Sequence, residues 1–144
     1  MADIFISYAR ADRDRIEKLA AALEAQGYSV WWDRHIVGGA EFSEEIERAL
    51  DAAAIVIVAW SADAAKSPWV KDEAVAARDA GKLIPITFDE TPAPMGFRQF
   101  QAIDCQSWKG DAAAAPFQDL SRAVKARLTG EHQTAPAMSE KASW

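Results

Sequence analysis

The chain is predicted to adopt a flavodoxin-like three-layer α/β fold: a five-stranded parallel sheet in the order 2-1-3-4-5 with helices on both faces. Three observations carry this expectation. Five short runs rich in β-branched and aromatic residues alternate with segments of helical periodicity. Most connections between them are short, as in a parallel sheet covered on both sides, and right-handed crossovers leave few strand orders. The central run, residues 53–60 (AAIVIVAW), is apolar throughout and does not alternate, which suits a strand buried on both faces.

The elements follow in order. Residues 3–8 (DIFISY) read as the first strand. Residues 12–26 place Ile16, Leu19, Ala20 and Leu23 on one helical stripe, with Asp12 as a cap and Gly27 as a stop. Residues 28–33 (YSVWWD) form the second strand. Residues 33–42 (DRHIVGGAEF) form a loop whose Gly38-Gly39 pair permits backbone geometries that other residues avoid. A helix runs on to about Leu50, with Phe42, Ile46, Ala49 and Leu50 inward. The third strand is followed by a loop and then by a helix over 68–80. Ser67 is its N-cap, Pro68 suits its first position, and Gly81 ends it. Residues 82–87 (KLIPIT) form the fourth strand, in which Pro85 cannot donate to a ladder and predicts an irregular neighbour. Residues 88–101 read as an irregular connection, 102–108 as the fifth strand, and 113–128 as a last helix with Phe117, Leu120, Val124 and Leu128 on one stripe. One domain over 1–129 is thus expected, with 130–144 a polar tail or a linker to a further module.

Bulk properties narrow the function. Half of the 144 residues are hydrophobic, which suits a globular domain with a real core. A formal net charge of −6 argues against nonspecific nucleic-acid binding and against an anionic membrane surface. The single cysteine, Cys105, forms no internal disulfide and reads as a buried thiol in a reducing, cytoplasmic setting. No signal peptide and no membrane-spanning run is evident.

In this strand order the ligand crevice lies where strands one and three part, beyond their carboxyl ends. Tyr8, Ala9 and Arg10 follow strand one there, and Trp60 and Ser61 follow strand three. The 33–42 loop hangs beside them. Trp69 and Glu73 are four apart, so they lie on one helix face and can look into the same crevice. Several chemistries are missing. Strand one ends in Tyr8-Ala9-Arg10 and strand three in Trp60-Ser61, without the acidic groups of a phosphate-accepting receiver. Neither GxGxxG nor GxxxxGK[ST] occurs. His35 and His132 lack partners at metal-ligand spacing, so no metal is expected. Ser7, Ser61 and Ser67 have no convincing histidine base.

What remains is a crevice lined by Tyr8, Trp32, Phe42, Trp60 and Trp69, with Arg10 and Glu73. It suits a flat heteroaromatic group, a phosphate and a ribose. Hydrolysis of an ordinary glycoside takes two carboxylates. An N-glycosidic bond to a pyridinium needs no acid, because the leaving group departs neutral. One carboxylate then suffices to stabilise the oxocarbenium-like charge. The inventory fits cleavage of NAD+ at the nicotinamide–ribose bond without requiring it.

Residues 2–12 (ADIFISYARAD) resemble the first box of Toll/interleukin-1 receptor (TIR) domains. Residues 33–42 resemble their BB loop, with Asp33 closing strand two and Gly38-Gly39 standing where many relatives have proline-glycine. Trp69-x-x-x-Glu73 is similar to the WxxxE pattern of bacterial and enzymatic members. The resemblance spans residues 1 to about 129 and implies the flavodoxin-like fold. Family members are either signalling adaptors or NADases. For an NADase the resemblance implies Glu73 as the catalytic residue and Trp69 near the nucleotide. It implies Tyr8, Arg10 and Phe42 as nucleotide-binding positions, with Asp33 matching the acidic residue of the loop. It further implies NAD+ as substrate rather than cofactor, and self-association that can complete the site from a second copy. An attached sensor module and a role in bacterial antiphage defence, through NAD+ depletion or a cyclic ADP-ribose signal, belong to the same expectation. The alternatives are a non-catalytic TIR–TIR interaction module (an adaptor or a host-directed effector) and a domain that binds a nucleotide without cleaving it.

Overall fold

The computed structural model describes residues 3–32 and 40–129, with only the backbone at 40–43. The expectations for Asp33, His35, Gly38-Gly39, His132 and the tail 130–144, and for the side chain of Phe42, lie outside the described residues. Five strands, β1 (Ile4–Ser7), β2 (Val30–Trp31), β3 (Ile55–Trp60), β4 (Leu83–Thr87) and β5 (Ile103–Asp104), form one sheet in the order β2-β1-β3-β4-β5. Every pairing is parallel. The helices are α1 (Arg13–Ala25), α2 (Ala40–Ala52), α3 (Ala62–Lys66), α4 (Pro68–Asp79) and α5 (Ala115–Thr129). The architecture is therefore the flavodoxin-like one expected.

Alternation along the strands divides the core. Ile4, Ile6, Ile55, Ile57, Ala59, Ile84 and Ile86 face α1 and α5, where Ile16, Leu19, Leu23, Phe117, Leu120 and Val124 meet them. Phe5, Val56, Val58, Trp60 and Leu83 face the other way, toward Ile46 and Leu50 of α2 and Val70, Ala74 and Ala77 of α4. The apolar run of β3 is explained by this: it feeds two cores at once.

Local chemistry sets most of the boundaries. Gly27 (φ 98°) follows α1 and Gly81 (φ 72°) follows α4, both in the left-handed region that glycine tolerates. The Ser67 hydroxyl accepts a hydrogen bond from the Val70 N–H at 3.3 Å, and Pro68 opens α4, as expected. Lys82 Nζ donates to the carbonyls of Leu50 (2.7 Å) and Ala53 (2.9 Å), closing the end of α2 with a cation where the helix dipole favours one.

Pro85 produces the irregularity its residue type predicts. Thr87 O accepts from Cys105 N on the β5 side, and Leu83 O points the same way, to Arg127 Nη2 at 3.2 Å. Pro85 lies between them with the same parity, so its missing N–H is directed at the edge rather than at β3. β5 pairs only with Ile86 and Thr87, beyond the proline. The expected fifth strand over 102–108 is therefore a two-residue strand followed by a turn, in which Trp108 N donates to Cys105 O at 3.2 Å. The uncovered edge is a cleft of about 630 Å³ between β4, β5 and α5, lined in part by Pro85, Asp104, Arg122 and Arg127. Arg127 also reaches Gly81 O at 3.0 Å, and burial holds its pKa below the ordinary value.

The second strand is likewise shorter than 28–33, and two elements are additional. A 3-10 turn spans Arg10–Asp12, and α3 fills the loop after β3. Asp12 does not cap α1 with its side chain. It accepts from the Ser61 hydroxyl instead.

Candidate functional site

Ser7 is the last residue of β1, the strand flanked by β2 and β3. It has the parity of Phe5, so its side chain enters the α2/α4 side of the sheet. On α4 the buried stripe is Val70, Glu73, Ala74 and Ala77, the spacing of a helix packed on a sheet. A carboxylate thus occupies a core position. Glu73 is only 5% exposed and Ser7 is fully buried. The Ser7 hydroxyl donates to Glu73 Oε1 at 2.7 Å. A solvated Glu73, the ordinary expectation for a helical glutamate, is not what forms. Removing a carboxylate from water is costly unless hydrogen bonds replace those it loses, and Ser7 supplies one.

The other expected positions are spread around the carboxyl ends of the strands. Trp69, one turn before Glu73, is half-buried and packs on the edge of the same core. Arg10 is exposed at the start of the 3-10 turn. Tyr8 follows Ser7 and points to the opposite side, into the core beneath α1 and α5. Its hydroxyl donates to Trp32 O at 2.8 Å, tying the end of β1 to the segment after β2. Trp32 is half-buried with the Arg13 guanidinium 5.1 Å from its ring centroid. Trp60 does not line an open crevice. It is 1% exposed and packs on Phe97 with ring centroids 5.3 Å apart, and its buried indole N–H has no hydrogen-bond partner among the described residues. Asp33 and the Phe42 side chain lie outside the described residues.

A second polar group ties three loops together at the same end of the sheet. The Ser61 hydroxyl donates to Asp12 Oδ2 at 2.6 Å and accepts from Ala64 N at 3.2 Å, capping α3. Asp89, after β4, accepts from Ala62 N and Thr91 N, both at 2.9 Å. Burial pushes the Asp12 carboxyl above its ordinary value, against the Ser61 hydrogen bond and the Arg15 charge that lower it. At Asp89 burial also pushes upward, but the hydrogen bonds from Ala62 and Thr91 outweigh it and hold that carboxyl below its ordinary value. Arg15 Nη1 donates to Phe88 O at 2.7 Å and closes this cluster.

The residue that sequence reasoning missed is Ser7, considered there only as a nucleophile without a base. The available signal was parity: Ser7 interrupts an apolar strand, and Glu73 interrupts an apolar helix stripe. Among the described residues no group of three or more His, Cys, Asp or Glu side chains could hold a metal ion. None of their helices is long and apolar enough to cross a membrane. Cys105 is buried, with its thiol pushed up to about 11 by burial and by Asp104 and Asp119, so it is a poor nucleophile.

Solved structures place this fold. The TIR domain of the Toll-related receptor TRR-2 from Hydra magnipapillata matches with a TM-score of 0.72 and 24% identity, covering 87% of this chain and 99% of that one. The TIR domains of the activated Roq1 resistosome, which directly recognises the pathogen effector XopQ, match with a TM-score of 0.67 and 16% identity, over 86% of this chain and 99% of that one. A metazoan TIR-STING receptor from C. gigas, solved with 2′,3′-cGAMP, matches at 0.70 and 21% identity, over 86% of this chain and 39% of that one. At these identities the likeness is one of fold. No curated protein matches the chain. The family model described as "TIR domain" matches residues 4–121, from the first residue of β1 into α5 and across the Ser7–Glu73 pair, and the chain belongs to the TIR domain family.

Proposed function

We propose that this TIR domain is an NAD+ nucleosidase that splits the nicotinamide–ribose bond, releasing nicotinamide and ADP-ribose or a cyclic ADP-ribose. The observation that carries the reading is Glu73, the one buried carboxylate among the described residues, at 5% exposure and bonded to Ser7 at the carboxyl end of β1. That end of the sheet is where open α/β folds bind ligands. Membership of a family whose enzymatic members use the glutamate of the Trp69-x-x-x-Glu73 pattern supports it further.

The chemistry asks little more of the protein. The C–N bond breaks with both electrons going to the pyridinium nitrogen, so nicotinamide leaves neutral. Positive charge develops on the ribosyl carbon and ring oxygen, and Glu73 stabilises it in a site of low dielectric. Water then adds and gives up a proton, or a nucleophile of the same molecule closes a ring. Trp69 and Phe42 wall the bases and Arg10 pairs with phosphate, Asp33 matches the family's acidic position, and Tyr8, turned into the core beneath α1 and α5, contributes by tying the end of β1 to the segment after β2. Activity rises with self-association, in keeping with one neighbour being part of an activated resistosome. A sensor module joined beyond residue 129, a cytoplasmic location and a part in bacterial antiphage defence complete the proposal.

The test follows NAD+ loss and nicotinamide release across rising protein concentration, for the wild type and Glu73→Ala. Turnover that climbs faster than linearly in the wild type and is absent in the variant supports the reading. No turnover under assembling conditions, or equal turnover in both, defeats it.

A second reading rests on the same contact. The Ser7 hydrogen bond gives Glu73 a partner within the fold, so the pair can be structural in a non-catalytic interaction module or a nucleotide-binding domain. Retained NAD+ affinity without product is its signature.

A further inference from the structure

We infer that Ser7 is a positioning residue for the Glu73 carboxylate, an inference that rests on the proposed NAD+ cleavage. A glutamate on a helix has three side-chain torsions, and burial alone does not choose the rotation of its carboxylate plane. The Ser7 hydroxyl constrains it from the sheet side, through its 2.7 Å bond to Oε1. Ser7 is itself hard to move. It ends β1, whose pairing with β2 stops at Phe5, and is in register with Val58 of β3. Its strand is otherwise apolar (Ile4, Phe5, Ile6), and burial at Ser7 is complete. An alanine or valine would suit such a strand position better by propensity, so the hydroxyl is there for Glu73 rather than for the strand. The partners are 66 residues apart in the chain, and the parallel sheet alone brings them together. The carboxylate is thus bonded to a buried strand of the sheet rather than to a loop, which is what a preorganised electrostatic site requires.

The inference is tested with steady-state NAD+ kinetics on the full chain for Ser7→Ala, Ser7→Thr, Ser7→Cys and Glu73→Ala. Melting curves recorded alongside give the folded fraction. A carboxylate that loses its bond to the sheet is less well placed at the developing charge, so Ser7→Ala is expected to lower kcat about 10- to 100-fold with KM within about twofold. Ser7→Thr keeps the hydroxyl and recovers most of the rate. If Ser7→Ala does not fold, Ser7→Cys makes the same test, because it holds the volume and replaces a strong donor by a weak one. Wild-type kcat in Ser7→Ala or Ser7→Cys, with Glu73→Ala inactive, overturns the positioning role and leaves the assignment of Glu73 standing. Turnover in Glu73→Ala equal to wild type, or none in the wild type, removes that assignment and the positioning role with it. A Ser7→Thr variant as slow as Ser7→Ala despite a native melt also overturns the role of the hydroxyl.

Discussion

The two sides of the sheet are built to different rules. Beneath α1 and α5 the strands present Ile4, Ile6, Ile55, Ile57, Ala59, Ile84 and Ile86 to helices that answer with leucine, isoleucine, valine and phenylalanine. Beneath α2 and α4 the same strands present Phe5, Val56, Val58 and Trp60, but also Ser7, and α4 answers with Glu73. Trp60 adds a buried indole N–H with no hydrogen-bond partner among the described residues. Burying apolar surface is the main favourable term in folding, and it dominates the first side, where the Tyr8 hydroxyl and the Trp108 indole N–H donate to the backbone carbonyls of Trp32 and Asp111. The second side retains polar groups of a kind that apolar residues of similar volume can often replace without loss of stability. Departures of this kind are expected where function overrides local consistency. The difference agrees with the proposed site: the buried carboxylate and its serine lie on the α2/α4 side.

Substitutions on the two sides can break or sharpen this contrast. The largest loss of stability is expected on the α1/α5 side. Phe117 is almost fully buried and stacks on Trp108 with centroids 5.7 Å apart, so Phe117→Ala is expected to cost about 3–5 kcal/mol in denaturant unfolding. A cost under about 1 kcal/mol would mean that this core is not the one that holds the fold. Next comes the β4 edge. Arg127 satisfies the carbonyls of Gly81 and Leu83 where β5 does not reach, so Arg127→Ala is expected to cost about 1–2 kcal/mol. It should also speed amide exchange in β4 more than in β1. Uniform exchange across both strands would contradict the capping role. Ser67→Ala removes one cap bond at the start of α4, for about 1 kcal/mol. Because α4 carries Glu73, this small loss should lower NAD+ turnover more than Phe117→Ala does, once both rates are normalised to folded protein.

The smallest effect concerns Asp12. Burial raises its carboxyl above the ordinary value of 3.8. A raised folded-state value means that the folded chain holds the proton more tightly than the unfolded one. Asp12 therefore weakens the fold as pH rises from its unfolded value through its folded one, and that penalty stays at neutral pH. Asp12→Asn keeps an acceptor for Ser61 without the charge. It is expected to raise the melting temperature at pH 7, with the gain fading as pH falls below the ordinary carboxylate range. A gain that persists unchanged in acid would point to something other than ionisation.

Much of this was legible in the chain. Periodicity located all five strands, their parallel order and the stripes of α1 and α5, because each depends on the spacing of apolar residues. Pro85 announced the weak β4–β5 pairing, because a missing N–H is a local property. The lengths of β2 and β5 were not legible, since they depend on how far a neighbouring strand runs. Nor were the roles of Asp12 and Ser61: each is a plausible cap in isolation, and only the fold brings them within 2.6 Å. Tyr8 and Glu73 were expected to share one crevice, but adjacent strand residues point to opposite sides, so it is Ser7 that meets Glu73. The aromatic Trp60, expected at the ligand, went into the core because its strand is covered on both sides.

The central claim is that Glu73 is buried for chemistry and not for stability. Glu73→Gln tests it most directly, because an amide keeps the size of the side chain and an oxygen to accept from Ser7. The account predicts an unfolding free energy within about 1 kcal/mol of wild type and nicotinamide release at least about 100-fold slower. Release at the wild-type rate, or a variant that unfolds while the wild type cleaves no NAD+, would contradict it.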